Sequence, residues 1–249
     1  MTEAPVPEID VTRPHPARMY DYCLGGKNHY AADREVADKV LAGAPSARTG
    51  PQENRAFLGR AVRFLTAEAG IRQFLDIGTG LPTSSNVHEA AQQIAPSSRV
   101  VYVDNDPVVV NHLHVLLAKG NPGVAAVDGD VRDAETILAK VSAGSAPGLV
   151  DLKAPMCLIM GSLLQFFEPD AARDLVARYI AELAPGSYLV LSVGGPVLQH
   201  VQRRSHAGAQ PPGCGDSDVL RPAGDGAARS DRRPAMAAGP GGSPGTATP

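Results

Sequence analysis

At 249 residues with a formal net charge of −3, the chain is long enough for one large domain, and its scattered lysines and arginines form no basic face for binding nucleic acid. The three cysteines, Cys23, Cys157 and Cys214, are too far apart for a zinc site or a disulfide framework, so we expect a cytoplasmic protein without a metal. No uncharged apolar run reaches membrane-spanning length and the acidic N-terminus is no secretory leader, so no membrane partner is expected.

The N-terminal part of the chain predicts helices. Residues 1–13 are acidic and proline-containing, which favours a disordered arm. Within residues 14–70, two short helices are expected on either side of Gly25-Gly26, followed by a longer amphipathic helix that ends at Gly70. That helix should pack on a sheet through a face listed here: Phe57, Ala61, Phe64 and Leu65. We interpret this region as a helical lid plus the first packing helix.

Residues 71–193 alternate short apolar runs with amphipathic helices. The predicted strands are "QFLDIG", "RVVYVD", "GVAAVDGD", "APMCLIM" and "SYLVLS". Helix starts are marked by Thr83, Asp106 and Asp133, which can each accept from free N–H groups of a first turn. Continuous apolar strands alternating with helices are typical of a parallel sheet covered on both faces. The fold class predicted is α/β, a Rossmann-like doubly wound sheet.

The composition changes after Ser192. Half of the residues from 194 to 249 are Gly, Pro or Ala, and none is aromatic or lysine, which favours disorder. The sheet therefore lacks its expected last two strands, and its open edge predicts self-association. Such a composition is also typical of an out-of-frame reading of GC-rich DNA, so a frameshift or gene-model error after Ser192 is a hypothesis. Translation of the other two frames of the source DNA tests it, and the absence of a strand-rich continuation in both would count against it.

The loop after the first strand, "FLDIGTGLPT", has the features of a nucleotide-binding turn. Gly78 and Gly80 permit a tight turn and a close backbone approach to a ligand. The dinucleotide fingerprint G-x-G-x-x-G requires a third glycine at position 83, where this chain has Thr83. Asp76 would repel a pyrophosphate but suits a ligand that carries an ammonium group. The loop alone still allows an ordinary strand-turn-helix connection without a ligand.

Acidic residues also end the next two strands. Asp104 can accept hydrogen bonds from ribose hydroxyls, which nicotinamide and methionine-derived nucleotides share, so it does not choose between them. Asp106 is interpreted as a helix cap. After the third strand, Asp128 and Asp130 both follow the apolar run, and either could accept from an adenine amino group. The pattern does not separate these two acids.

The exit of the fourth strand, Met160 to Gln165, should border the reacting centre, because ligands of doubly wound sheets lie at the carboxyl ends of strands near the switch point. No Asn/Asp-Pro-Pro-aromatic motif, G-x-S-x-G elbow or H-E-x-x-H motif is present. His112 and His114 are interpreted as surface residues. No catalytic residue is assigned.

Together, the acid-x-Gly-x-Gly loop and the two strand-end acids resemble class I S-adenosylmethionine-dependent methyltransferases. The segments "ARMYDYCLGGKNHYAADR", "NRAFLGRAVRFL", "QFLDIGTGLPT", "VVYVDNDPVV" and "LAPGSYLVLS" more closely resemble an actinobacterial S-adenosyl methyltransferase family formerly catalogued as a domain of unknown function. The resemblance extends from about Ile9 to Ser192. Members commonly read Leu-His-Phe where this chain has Leu164-Gln165-Phe166.

The resemblance implies a set of cofactor-binding residues for S-adenosyl-L-methionine. The loop after the first strand would hold the methionine end of the cofactor, and the strand-end acids would bind its ribose and adenine. The end of the fourth strand would border the amino-acid moiety, and the N-terminal residues would form a lid over the pocket. The implied residues are Tyr22, Gly25, Gly26, Asn28, Asp76, Gly78, Thr79, Gly80, Leu81, Asp104, Asn105, Asp130, Val131, Met160 and Gly161. The implied activity is methyl transfer to a small molecule or natural product. A cofactor-binding protein with little turnover and an NAD-dependent enzyme stay open as alternatives.

Overall fold

In a computed structural model, residues 10–83, 86–117, 120–143, 149–194 and 221–223 of the chain are described. The helices are α1 (Pro16–Cys23), α2 (Ala31–Gly43), α3 (Thr49–Ala67), α4 (Val87–Gln92), α5 (Pro107–Leu117), α6 (Ala134–Ala143) and α7 (Pro169–Ala181), with short 3₁₀ helices at Pro45–Arg48 and Leu164–Phe166. The strands are β1 (Gln73–Ile77), β2 (Arg99–Asp104), β3 (Val124–Asp128), β4 (Cys157–Gly161), β5 (Ser187–Ser192) and β6 (Arg221–Ala223). No helix in this part of the chain combines the length and apolar character needed to cross a bilayer.

The strands form one sheet in the order β3-β2-β1-β4-β5-β6. All pairs from β3 to β5 are parallel, so the predicted α/β architecture is confirmed. Between β1 and β4 the strand order reverses, which creates the switch point where ligands bind in open α/β sheets.

The edge of the sheet differs from the expectation. β6 pairs antiparallel with the first half of β5, placing Ser187 opposite Ala223. The three residues of β6 belong to the tail that composition predicts to be disordered, so that prediction is wrong for them. Composition does not reveal their pairing with β5, because the pairing joins segments that lie more than 30 residues apart in the sequence. The rest of that tail, apart from Gly194, and residues 1–9 of the predicted N-terminal arm lie outside the described residues.

Both faces of the sheet are covered, because successive side chains of a strand point in opposite directions. Phe74 packs with α3, α4 and α5 on one face, whereas Leu75 and Ile77 pack with α6 and α7 on the other. Asp76 lies two positions after Phe74 on β1, so its side chain is on the same face of the sheet, the face that α3 covers. The sheet thus presents this carboxylate toward the N-terminal helices.

Two helix predictions need correction. On α3, Phe64 is 49% exposed, and Leu58 and Val62 take the buried face with Ala61 and Leu65. The helix after β1 begins at Val87 rather than Thr83, because the Asn86 side chain and Glu89 form a reciprocal capping box at that point. By contrast, the cap at Asp133 is confirmed, since its carboxylate accepts from the Thr136 N–H at 3.1 Å.

The two short N-terminal helices are joined by a buried ion pair. Nε of Arg18 on α1 lies 3.4 Å from Oδ1 of Asp33 on α2, and both side chains are almost fully buried. The same carboxylate accepts the backbone N–H groups of His15 and Tyr30, each at 2.8 Å. Asp33 therefore organises the start of both helices.

Candidate active site

A cavity of about 430 Å³ lies at the carboxyl ends of the parallel strands, beneath the N-terminal helices. Its size falls within the range of about 300–1,000 Å³ that small-molecule sites occupy. Strands β1 to β4 supply its polar floor, and α1, α2 and the start of α3 supply apolar walls. Eight predicted site residues line it: Asp76, Gly78, Thr79, Asp104, Asn105, Asp130, Val131 and Gly161.

The loop after β1 takes the tight turn predicted for it. Gly78 and Gly80 have φ values of 66° and 68°, in the left-handed region that favours glycine. A Cβ on Gly78 would also collide with the Leu163 side chain. The turn brings the backbone to the cavity wall, where it can approach a ligand closely.

Asp76 places a buried carboxylate beside this loop. The Thr79 hydroxyl donates to its Oδ2 at 3.0 Å. Burial raises the pKa of Asp76 to about 6, even though the nearby Arg55 charge and the Thr79 hydrogen bond act to lower it. The carboxylate thus lacks enough internal partners to offset its burial, and a cation in the cavity would stabilise its charged form.

Asp104 joins the ends of β1 and β2. Its carboxylate accepts from the Gly80 N–H at 2.8 Å and from the Asp106 N–H at 2.9 Å. Burial nevertheless raises its pKa above the ordinary value. Asp104 and the adjacent Asn105 line the cavity, which fits the predicted position for ribose hydroxyls. Gly80, which donates this hydrogen bond, does not itself line the cavity.

The two acids after β3 are separated by the structure. Asp130 lines the cavity, whereas the exposed Asp128 does not. Nε of Arg132 donates to Oδ1 of Asp130 at 2.9 Å, and this contact holds the pKa of Asp130 below its ordinary value. Val131, the residue implied to contact adenine through its backbone, follows directly along the cavity wall.

At the end of β4, Gly161 lines the cavity but Met160 does not. Met160 is fully buried on the α6/α7 face, because the alternation of side chains turns it away from the site. Gln165 also lines the cavity, and its Oε1 accepts from the Gly194 N–H at 3.1 Å. That amide is therefore engaged in holding the chain that leaves β5. Leu81 is likewise a core residue beside α3.

The predicted lid residues Tyr22, Gly25, Gly26 and Asn28 lie away from the cavity wall in this structure. The Tyr22 hydroxyl donates to Asp38 at 2.7 Å, and the Asn28 N–H donates to Asp21 at 2.8 Å. Helix periodicity explains the difference, because α1 turns a different face toward the site: Met19, Tyr20 and Cys23. Contact of the four predicted residues with a cofactor stays a prediction.

Sequence reasoning missed a polar group on α3. Asn54 and Arg55 both line the cavity. Nδ2 of Asn54 donates to the Tyr20 hydroxyl at 2.9 Å, and the Arg55 guanidinium carbon lies 5.7 Å from the centre of the Tyr20 ring. In the sequence these two residues resemble the solvated face of an amphipathic helix, and no motif distinguishes them.

His15 was missed as well. It lines the cavity, and its Nδ1 lies 2.9 Å from Oδ2 of Asp106. Asp106 caps α5 as predicted, accepting from the Val108 N–H at 2.9 Å. Burial acts to raise the pKa of Asp106, but His15 and the backbone donor outweigh it and leave the pKa lowered. This contact joins the start of α1 to the end of β2.

The arrangement is chemically a binding site for a polar ligand with several hydrogen-bond donors. Three carboxylates from the ends of β1, β2 and β3 face one cavity beside a glycine turn. Among the residues that the structure describes, no group of three or more His, Cys, Asp or Glu side chains is placed to hold a metal ion.

Comparison with known proteins agrees with this geometry. The model of the S-adenosyl methyltransferase family matches residues 2–210, so the match continues past Ser192, where the resemblance was expected to end. None of the curated proteins compared matches the chain.

Two solved structures are similar over most of their length. One, from Thermobifida fusca YX, is described as a candidate methyltransferase; it is 42% identical with a TM-score of 0.71, covering 78% of this chain and 74% of that one. The other, a DUF574 family protein from Streptomyces avermitilis MA-4680, is 41% identical with a TM-score of 0.73, covering 80% and 78%. The chain belongs to the S-adenosyl methyltransferase family.

Proposed function

We propose that this chain binds S-adenosyl-L-methionine in the cavity and transfers its methyl group to a small molecule. The observation that carries the proposal is the common orientation of Asp76, Asp104 and Asp130 toward one cavity next to the Gly78 turn. Carboxylates at these three positions suit an ammonium group, ribose hydroxyls and an adenine amino group, respectively. They do not suit a pyrophosphate.

The residues of the site would bind and orient the two reactants. Bound S-adenosylmethionine supplies a methyl group on a sulfonium, which is already a good leaving group. The chain then has to hold the acceptor in line with that methyl group and exclude water, and the apolar walls from α1 and α2 serve this purpose. We assign no general base, and the acceptor is expected to be a compound whose nucleophile needs little help in losing a proton.

Gln165 supports a second candidate, a cofactor-binding protein with little turnover. Its side-chain oxygen accepts from Gly194, so the residue at the position where relatives commonly have histidine is engaged in a structural hydrogen bond. An NAD-dependent enzyme is not favoured, because Thr83 stands where the third glycine of a dinucleotide loop is required.

Calorimetric titration of the purified full chain tests the proposal. We expect binding of S-adenosylmethionine and of S-adenosylhomocysteine, and no binding of NAD at the same concentration. Tight NAD binding without binding of either methionine-derived nucleoside would overturn the assignment. Turnover of S-adenosylmethionine with a panel of small-molecule acceptors then separates the enzyme from the binding protein.

A further inference from the structure

We propose that Arg55 and Asp76 together bind the amino-acid end of the cofactor, with Arg55 taking its carboxylate and Asp76 its ammonium group. This inference rests on the proposed function and adds a residue from outside the strand-end loops. In this proposal the N-terminal helical region binds the cofactor directly, through Arg55 on α3. The site would then select nucleosides that carry an intact amino acid.

The Arg55 side chain lines the cavity with most of its hydrogen-bonding capacity unused. A guanidinium has five N–H donors. One of these, on Nη2, reaches the Leu81 carbonyl oxygen at 3.3 Å, while Nε is buried without a partner. No carboxylate oxygen of the described residues lies within 4 Å of the guanidinium. A half-buried cation without a counter-ion is costly unless a ligand pairs with it.

The other basic side chains that line the cavity already have acidic partners. Arg132 contacts Asp130, and His15 contacts Asp106. Arg55 is therefore the cation of this cavity, within the described ranges, that is available to an anionic ligand group. It also contacts α1, because its guanidinium lies over the Tyr20 ring.

Asp76 supplies the complementary charge on the same side of the sheet. Its side chain is 4% exposed, and the Thr79 hydroxyl is its one hydrogen-bond donor among the described residues. The Arg55 charge acts on this carboxylate, yet the two groups do not meet as an ion pair. Two opposite charges held apart at one cavity match a zwitterion, which pairs with both at once.

The test compares nucleosides that differ in the charged groups of the amino-acid end, each measured on the substituted and the unsubstituted protein. S-adenosylhomocysteine carries the ammonium group and the carboxylate on a neutral thioether. Decarboxylated S-adenosylmethionine lacks the carboxylate, keeps the ammonium group and also carries a sulfonium, whereas methylthioadenosine has none of these charges. Calorimetry of Arg55→Met should show a loss of about tenfold to a hundredfold in affinity for S-adenosylhomocysteine, the expected effect of removing a hydrogen bond to a charged group. Affinity for the other two ligands should change by less than about twofold.

Two further variants complete the design. Asp76→Asn should weaken S-adenosylhomocysteine and decarboxylated S-adenosylmethionine but spare methylthioadenosine. Arg60→Met removes an exposed arginine from the same helix and should change none of the affinities. If Arg55→Met unfolds, Arg55→Lys retains the charge and should show an intermediate loss confined to S-adenosylhomocysteine.

The outcomes distinguish this inference from the proposed function. Equal losses for all three ligands, or no loss for S-adenosylhomocysteine, would overturn the role of Arg55 while leaving cofactor binding intact. Failure of the unsubstituted chain to bind any of the three nucleosides would overturn both.

Discussion

The Ser192 hydroxyl donates to Oδ1 of Asn54 at 2.5 Å and so joins the end of β5 to α3. Asn54 continues the series by donating to the Tyr20 hydroxyl, which in turn donates to the Pro51 carbonyl at 3.0 Å. The Ser162 N–H donates to the Ser192 hydroxyl oxygen at 3.1 Å. These hydrogen bonds connect α1, α3, β4 and β5 around one side chain.

Asn54→Ala should lower the free energy of unfolding by about 1–3 kcal/mol, because it removes one hydrogen-bond partner from each of the partly buried hydroxyl groups of Tyr20 and Ser192. Urea denaturation followed by circular dichroism measures the change. The control is Gln52→Ala, which truncates an exposed side chain on the same helix. Adding Ser192→Ala to Asn54→Ala should cost less than the sum of the single changes; strict additivity would show that the two groups are not coupled.

Asp104→Asn should weaken S-adenosylhomocysteine binding by about tenfold or more, since a charged acceptor for the ribose hydroxyls is lost. Asp128 offers a matched control, because it is the register partner of Asp104 on β3 but is exposed and outside the cavity. Asp128→Asn should leave the affinity unchanged. Equal affinities of the Asp104→Asn protein and the unsubstituted protein in calorimetry would contradict the ribose assignment.

Asp76 makes stability depend on pH in a defined direction. Burial raises its pKa from 3.8 to about 6, so the folded state holds this proton more tightly than the unfolded state does. The contribution of Asp76 to the free energy of unfolding therefore falls by up to about 3 kcal/mol as pH rises from about 4 to about 6. Above that window the contribution stays low. Asp76→Asn should gain stability relative to the unsubstituted protein across that window. A constant difference between pH 4 and pH 7 in urea denaturation would contradict the assignment.

Gly26→Ala should destabilise the N-terminal helices, because an added Cβ would overlap the Asp21 carboxylate. Asp21 is buried and holds the Asn28 N–H, so it cannot move freely. Hydrogen exchange of α1 and α2 measures the effect. Gly43→Ala is the matched control, since a Cβ there would meet no atom within 4 Å. Similar exchange rates in both variants would indicate that the contact with Asp21 yields easily.

Truncation after residue 194 should promote self-association. Removal of β6 exposes the backbone N–H and C=O groups of β5 that pair with it, and unpaired strand edges favour association with another chain. Sedimentation at increasing protein concentration compares the truncated chain with the full chain. A truncated chain that stays monomeric over that range would show that this edge is protected in another way.

The sequence was most informative where a local pattern decides the structure. Apolar runs predicted all five parallel strands, and the residues that end β1 and β2 follow directly from the strand boundaries. Asp128 and Asp130 could not be separated, because their positions relative to the cavity depend on the turn after β3. The pairing of β6 with β5 depends on a contact between distant parts of the chain, which composition does not encode.

The sequence predicts that the two short N-terminal helices exist, but it does not predict which face of each helix is turned toward the cavity. A sequence shows which residues share a helix face, yet not which face a neighbouring sheet edge will cover. The sequence therefore favours Tyr22 for the lid, whereas Tyr20 lines the cavity in the structure. Arg55 was missed for a related reason, since its place on the cavity wall depends on how α3 packs against the sheet.

The buried Arg18–Asp33 pair has a consequence for how a ligand enters. Separation of α1 from α2 would leave one charge of this pair uncompensated in the interior, at a cost of several kcal/mol. The two helices should therefore move as one body when the cavity opens. Such a motion has to break polar contacts at its borders, including His15 with Asp106 and Tyr20 with Asn54 and Pro51. The rate of cofactor exchange would then depend on these border contacts rather than on the depth of the cavity.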